Sequence, residues 1–478
     1  MKICFICDLH LPIFKGALQY GALDFAVQNI KDELPDIVVF AGDVTCDGDI
    51  SVYQDFIEKM NNIGIPFLYI PGNSDLRDER YAEKISGISS PLISKIGNTQ
   101  VVMINDCHGK ITDPSFVDGL PSSALIVMHH PPKSVGKEFF AKISAYLKDN
   151  PPSRLFYAHV HMSFREGQYI SLGALDPDKE IGECPCISYY DTETDETRQV
   201  YFDCPVPKDI YEYFGVSCYR PTDIRLAIDE GLKYIELRPS IFGEDEGELV
   251  SLIGEWRLSG GVGLSIHLPD IGYLDGAPRP LGNYARCMYF AELLGADRFT
   301  QHVPKIPVNI ATDKVLSEIA DYLAEVINAS GREYTVGVEN MHMTANENSD
   351  DTRRYGYIPE ECIRFADILR GRLNGRVGIN FDIGHARNNA PFSQTYQISS
   401  WLLKVGLECV GYHIHQVSVV GNSFVNHTAI TEPYGRLISY ASTFKMWSDG
   451  RLNKSPFIFE MDKDGDYKIT LDMFKRLR

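Results

Sequence analysis

Five polar clusters early in the chain carry side chains able to hold divalent cations: Asp8-Leu-His10, Gly42-Asp43, Gly72-Asn73-Ser74-Asp75, His129-His130 and His159-Val-His161. Carboxylate, imidazole and carbonyl donors together suit metals of intermediate softness, here Mn, Fe or Zn. A pair of such ions needs ligands converging from several strands and one carboxylate between them, and Asp43 suits that bridge. Such a centre clamps a phosphate group, polarises its phosphorus and makes hydroxide from water near neutral pH. Each cluster alone is a weak signal, because a buried histidine is usually a satisfied core residue. Five in this order are much harder to obtain by chance.

The clusters follow apolar runs: KICFIC, DIVVFA, IPFLYI, ALIVM and RLFYA. Apolar runs of about four to eight residues closed by turn signals read as buried strands, and open α/β sheets build their sites at strand ends. After Met162, YISL and CISYYD predict strands completing a second sheet. The Pro-rich stretch DCPVPKD (203–209) marks the expected boundary between a first domain, 1–205, and a second, 206–478.

The second domain alternates strand and helix signals. Its strand candidates are YFGVSCY, YIELRP, GLSIHLP, RFTQHVP, TVGVENMH, VGINFDIGHA, GYHIHQV and PFIFEM. The clearest helix runs from Thr312 to Ala329, with Val315, Ile319, Leu323 and Val326 as its apolar positions, Thr312 as N-cap and Gly331 closing it. Eight strand–helix units in this length fit a (β/α)8 barrel, so the expected fold class is α/β throughout. Glu236, His267, His302, Glu339, Asp382 with His385, His413 with His415, and Glu460 stand at the C-terminal strand ends, where such barrels build their sites. Residues two apart on a strand face one side, so His413 and His415 can both point inward. Solvation explains an isolated polar strand end, but not metal-type residues on nearly every strand from the third to the eighth.

The order and spacing of the five N-terminal clusters resemble the calcineurin-like metallophosphoesterases. The resemblance implies an αββα sandwich with a binuclear centre. One metal would take Asp8, His10, Asp43 and His161, and the other Asp43, Asn73, His129 and His159. Asp43, Asn73 and His129 are then the candidate catalytic residues, and His130 is a neighbour of the ligand His129. Ala158 stands where the family has Gly, a mild change. Ser74 is a larger departure, since the family usually has a histidine there that acts on the leaving group. Without it, leaving-group protonation must come from elsewhere or be unnecessary, which argues against efficient hydrolysis of alkyl monoesters. Arg77 and Arg165 are candidate phosphate contacts, although surface arginine is the ordinary reading of both.

The runs SIHLP, VGVEN, NFDIGH, HIH and FIFEM look like the xylose-isomerase-like barrel superfamily. That group includes sugar epimerases, isomerases and dehydratases, and the endonuclease-IV type of trinuclear zinc phosphoesterase. Its shared metal core maps to Glu339, Asp382, one of His413 and His415, and Glu460, with His415 preferred. Two reactions compete. An epimerase or isomerase would use one metal, with Glu339 and Glu460 moving protons on opposite faces of a substrate carbon. The trinuclear type needs further ligands, and His267, His302, His385 and His427 stand near the expected places. Asn426 replaces the Asp expected before His427. One to three ions, Zn or Mn, are therefore expected in the barrel.

The chain of 478 residues is 44% hydrophobic and 23% charged, with a formal net charge of −19. That is globular composition, and acidic residues exceed basic ones on both sides of the boundary. A broad grip on nucleic acid needs clustered Lys and Arg, so nucleic acid is not expected as a partner. A small phosphorylated substrate is, because bound cations supply positive charge. No apolar run is long enough to span a membrane, and Asp8 and His10 arrive before a signal-type core could form. The 11 Cys are scattered and odd in number, which points to reduced thiols and a cytoplasmic setting. Cys184-Pro-Cys186 reads as strand filler rather than a redox couple.

The expected protein is a bifunctional metal-dependent enzyme. Its first domain would hydrolyse a phosphomono- or diester of a sugar-phosphate or nucleotide-like metabolite. Its barrel would act on a related compound by isomerisation, epimerisation or a second phosphoester hydrolysis. The alternatives are a nucleic-acid phosphodiesterase of the AP-endonuclease kind, and a scaffold in which one domain binds without turning over.

Overall fold

The computed structural model describes residues 1–87, 90–343, 352–420, 423–463 and 465–478. They divide into two compact units: Met1–Pro205 with Pro433–Ser442, and Val206–Glu432 with Thr443–Arg478. The distant stretch 433–442 belongs to the first unit, where the Tyr434 hydroxyl donates to the Cys204 carbonyl at 2.8 Å.

The first unit contains β1 (Lys2–Ile6), β2 (Ile37–Ala41), β3 (Phe67–Ile70), β4 (Leu92–Ile96), β5 (Thr99–Met103), β6 (Leu125–Met128), β7 (Arg154–Tyr157), β8 (Phe164–Glu166), β9 (Tyr169–Ser171), β10 (Cys186–Asp191) and β11 (Glu196–Tyr201). They form a five-stranded sheet, β11-β10-β1-β2-β3, and a six-stranded sheet, β4-β5-β6-β7-β9-β8. Strand alternation sorts the side chains into layers. Val101, Met103, Leu125, Val127 and Phe156 meet Ile3, Phe5, Ile37 and Val39 in one core. Their neighbours Val102, Ile126, Met128, Leu155 and Tyr157 meet Phe139, Ile143 and Leu147 of the helix Lys137–Asp149 in another. A strand buried on both faces is apolar at every position, which is why these runs are unbroken. The YISL and CISYYD runs do not complete one sheet as expected. β9 joins the six-stranded sheet and β10 the five-stranded one, because the chain crosses between the layers in the intervening loop. The antiparallel hairpin of β4 and β5 is an addition to the runs singled out above.

The second unit contains β12 (Phe214–Cys218), β13 (Tyr234–Leu237), β14 (Gly263–His267), β15 (Ile271–Leu274), β16 (Ala277–Pro280), β17 (Arg298–His302), β18 (Thr335–Glu339), β19 (Val377–Asp382), β20 (Cys409–Ile414), β21 (Gln416–Val420), β22 (Ser423–Thr428) and β23 (Phe457–Phe459). Eight of them close a parallel barrel in the order β12-β13-β14-β17-β18-β19-β20-β23, and each of the eight sequence candidates supplies one. Two antiparallel hairpins, β15–β16 and β21–β22, extend connections of the barrel. The helix Asp313–Asn328 is capped by the Thr312 hydroxyl, which accepts from the Val315 amide at 3.3 Å. Its buried stripe is Leu316, Ile319, Ala320, Leu323, Ala324 and Ile327, while Val315 and Val326 lie on the flanks. No helix among the described residues is long and apolar enough to cross a membrane. The cysteines are free thiols, and Cys186 opens β10 as buried filler.

Candidate metal centres

In the first unit the ends of β1, β2 and β7 converge, and their loops are laced by backbone bonds. The Leu9 and His10 amides both donate to the Asp43 carbonyl, and the Asp8 amide donates to that of Gly42. Asp8, His10, Asp43, His159 and His161 all take left-handed backbone conformations, with φ of 49°, 47°, 57°, 70° and 56°. For residues other than glycine each such turn costs roughly 1 kcal/mol, so the surrounding fold must enforce them. The result is one compact set: a ligand atom from each of Asp8, His10, Asp43 and His161 lies within 4.8 Å of every other. Beside it, His129, His130 and His159 form a second set by the same measure. His130, read from the sequence as a neighbour of His129, is within reach of the same point and turns its Nδ1 to Asp106 Oδ2 at 3.2 Å. Asn73 Oδ1 lies 3.2 Å from His129 Nε2. Asp43 Oδ2 sits between the sets, 3.0 Å from His10 Nε2 and 3.5 Å from His129 Nε2.

The charges of these groups are tied to one another. Burial disfavours the Asp43 carboxylate, yet His129 and His10 hold it well below the ordinary range. Burial also opposes the His129 imidazolium, but Asp43 and Asp8 lift its pKa to about 10. Burial pushes Asp8 up to about 6 against the pull of His129, and lowers His159 to about 4.

The donor set fits divalent cations. His129 Nδ1 faces the Ala41 carbonyl at 2.9 Å, which turns Nε2 toward Asp43 and Asn73. His10 Nδ1 faces Asp176 Oδ2 at 3.2 Å, which turns its Nε2 toward Asp43. Asp8 Oδ1 is buried with no hydrogen-bond partner. Mixed imidazole and carboxylate donors whose remaining ring nitrogens are fixed from behind are the arrangement that orients a histidine toward a metal.

Residues outside the sequence motifs do much of this orienting. Asp176 backs His10, and Asp106 accepts from the His129 and His130 amides, each at 2.8 Å. Asp106 follows β5 at a strand end and was recognisable by that position; Asp176 lies in a loop with no such signal. Asp75, the last residue of the Gly72–Asp75 motif, accepts from the Gly72 and Thr45 amides. Ser74 is fully buried; its hydroxyl donates to the Thr45 carbonyl at 2.6 Å, and its amide to Asp43 Oδ1 at 2.8 Å. Arg77 is engaged by the Cys46 carbonyl, and Arg165 pairs with Asp195 at 2.6 Å.

Gly72 lies so close to Asp43 that an added Cβ would overlap the carboxylate. Displacing a reacting group by about 1 Å costs on the order of 100-fold in rate. Gly72→Ala is therefore expected to lower whatever turnover this centre supports about 100-fold, with far-UV circular dichroism close to wild type. Wild-type kinetics in this variant would mean that Asp43 tolerates displacement.

In the barrel, three donor sets lie side by side among the described residues. The first is His267, His302 and Glu339; the second is Glu339, Asp382, His413 and Glu460; the third is Asp382, His385, His415 and His427. Glu339 belongs to the first two and Asp382 to the last two. Glu339 Oε2 is 3.1 Å from His267 Nε2 and 3.7 Å from His302 Nε2. Its Oε1 is 2.9 Å from His413 Nδ1, which is also 2.9 Å from Glu460 Oε2. The preference for His415 beside Glu339 and Glu460 is corrected here, because His413 takes that place. β20 ends at Ile414, so His415 lies just past the strand and reaches Asp382 Oδ1 at 3.3 Å, within the third set.

The barrel donors also fit cations. Asp382 Oδ2, His385 Nε2 and His427 Nε2 are buried without hydrogen-bond partners. His385 Nδ1 faces the Asn340 carbonyl at 3.0 Å, which points its Nε2 away from the backbone. His302 Nδ1 faces Asp270 Oδ1 at 2.8 Å, and His267 Nδ1 the Leu268 carbonyl at 2.9 Å. Burial lowers His267 to about 4. Burial works the same way on His413, but Glu339 and Glu236 raise it to about 10. Asn426, where an Asp was expected, accepts from Asn388 Nδ2 at 3.0 Å. Arg238 was not anticipated. It is buried, bonds to Glu460, donates to Ser217 Oγ at 2.8 Å and lies over the Tyr219 ring.

The calcineurin-like phosphoesterase profile matches residues 1–163. A probable glycerophosphodiester phosphodiesterase of Arcobacter nitrofigilis is 24% identical, the match covering 29% of this chain and 60% of that protein. A 3',5'-cyclic-nucleotide phosphodiesterase of Nostoc sp. is 26% identical over 35% of this chain and 74% of its own. Among solved structures, endonuclease IV from Thermus thermophilus matches at 15% identity and a TM-score of 0.37, covering 55% of this chain and 99% of that one. Residues 1–163 thus form a calcineurin-like phosphoesterase domain, carried on a chain that also closes an eight-stranded parallel barrel.

Proposed function

We propose that the first unit hydrolyses a small phosphodiester of cyclic-nucleotide or glycerophosphodiester type at a two-metal centre. The observation that carries this is Asp43 Oδ2, placed 3.0 Å from His10 and 3.5 Å from His129 between two donor sets. Asp8, His10, Asp43 and His161 would hold one ion, and Asp43, Asn73, His129 and His159 the other, with His130 as a further donor beside them. Bound there, such ions supply the positive charge that grips phosphoryl oxygens and makes hydroxide available near neutral pH. The chain's own part is orientation: Asp176 and the Ala41 carbonyl fix the two histidine rings, and the Ser74 amide holds Asp43. The Ser74 hydroxyl is committed to Thr45, so this position offers no proton to a leaving group. That favours esters whose leaving group departs without one, in keeping with the two sequence relatives named above, one a phosphodiesterase and one a probable phosphodiesterase.

For the barrel, the reading favoured is a second, multinuclear hydrolase acting on a related phosphorylated compound. The supporting observation is the sharing of Glu339 and Asp382 among three donor sets. An isomerase would need Glu339 and Glu460 on opposite faces of a substrate carbon. Here both contact the same nitrogen of His413, and Glu460 is engaged by Arg238.

The purified chain tests these readings on a panel of cyclic nucleotides, glycerophosphodiesters, an aryl diester, sugar phosphates and abasic DNA. A general acid is worth about 10²–10⁴-fold, so alkyl monoesters are expected to react at least ~100-fold more slowly than the aryl diester. Preference for monoesters would remove the diesterase reading, and preference for DNA would replace it with the nucleic-acid alternative.

A further inference from the structure

We propose that Glu236 is a positioning residue that fixes His413 for cation binding in the barrel, acting through a relay anchored by Ser265 and Thr300. The inference rests on the barrel being a metal centre, and it adds a residue that lies outside all three donor sets.

Glu236, on β13, is 1% exposed, so water cannot orient its carboxylate. Its Oε2 accepts from Thr300 Oγ1 at 2.6 Å and from Ser265 Oγ at 3.2 Å. Those hydroxyls come from β17 and β14, and Ser265 is the direct cross-strand neighbour of Glu236. With Oε2 occupied, Oε1 faces His413 Nε2 at 3.1 Å as an ion-pair contact, and neither atom has a hydrogen-bond partner elsewhere. The opposite nitrogen, Nδ1, is the one that lies 2.9 Å from both Glu339 and Glu460. The relay runs from two hydroxyls to a carboxylate, to an imidazole, to the shared donors.

The chemistry of a carboxylate explains why this residue is not interchangeable with its amide. A carboxylate only accepts, so once a cation occupies the Nδ1 side, between Glu339 and Glu460, the His413 proton belongs on Nε2, facing Glu236. Glutamine can accept or donate, and so leaves the tautomer undecided. Partners behind a ligating histidine are typically worth about 10–100-fold in metal affinity. The bland alternative is that Glu236 only balances Arg238, whose Nε is 4.0 Å from Oε1. That distance is longer than every contact in the relay.

The test uses the full-length protein loaded with zinc and dialysed against graded chelator, with ions per chain read by elemental analysis. Glu236→Gln is expected to lose a barrel ion at about 10- to 100-fold lower chelator concentration than wild type. Thr300→Val removes the shorter anchoring bond at nearly constant volume, and is expected to shift retention the same way by several-fold. The melting temperature of the metal-free protein should change little in either variant; a purely structural role would lower it as much as that of the loaded protein. If Glu236→Gln fails to fold, Thr300→Val decides alone. Retention at the wild-type level in both variants, or in Thr300→Val when it stands alone, overturns the proposal. His413→Ala serves as reference. If it holds as many ions as wild type, the metal reading of this donor set falls, and the relay with it.

Discussion

Asp43→Asn is expected to lower kcat/KM for an aryl phosphodiester by at least about a thousandfold, roughly 4 kcal/mol of transition-state stabilisation. The size follows from how many groups depend on this carboxylate. Oδ2 faces His10 and His129 at once, and Oδ1 receives the Ser74 amide. An amide of the same shape removes the negative charge and replaces one acceptor with a donor, so at least one of these contacts becomes repulsive. It also deprives two buried donor sets of the group placed between them, and ion content should fall by up to two per chain. Asp43 lies in the first unit, so the ions retained by the barrel and its melting transition should not change. Elemental analysis and calorimetry run beside the kinetics separate the loss of a bridge from the loss of a fold. Unchanged turnover would show that the bridging role belongs to another group.

Glu339→Gln is expected to have the largest effect in the barrel. Glu339 is fully buried and contributes one oxygen to His267 and His302, the other to His413. An amide cannot face imidazoles on both sides with acceptors, so two of the three donor sets lose a member. An ion held at 100 times its dissociation constant stabilises the folded state by about 2.7 kcal/mol. Losing two such ions should lower the barrel's melting temperature by roughly 10 °C at the size of this unit. The check is calorimetry of wild type and variant with and without chelator. Chelator should destabilise the wild-type barrel strongly and the variant little. An equal chelator-induced shift in both would place the ions elsewhere.

The strands were legible because they are buried on both faces. Continuous apolar runs of the length of DIVVFA and ALIVM have few alternatives to a buried strand, and turn-type residues close them where the backbone must leave the sheet. Strand polarity then carried the site, since parallel strands bring their C-terminal ends to one side. Less was legible where pairing rather than burial decides. β9 and β10 read alike, yet they close different sheets. The helix Asp313–Asn328 was placed with its cap, but its stripe centres on Leu316 rather than Val315, because a 3.6-residue period tolerates a small rotation of the buried face.

The amino-acid sequence by itself determined which side chains are available for metal chemistry and which strand each one ends. Those properties are local: residue type, run length and the turn that follows. Only the tertiary structure decided that His413 rather than His415 joins Glu339, since alternation gives the face of a strand and not the depth at which it ends. Only the tertiary structure supplied Asp176 behind His10, Asp270 behind His302 and Glu236 behind His413. A carboxylate that orients a ring from a distant segment leaves no periodic trace in the chain, because its position is set by how strands register against one another.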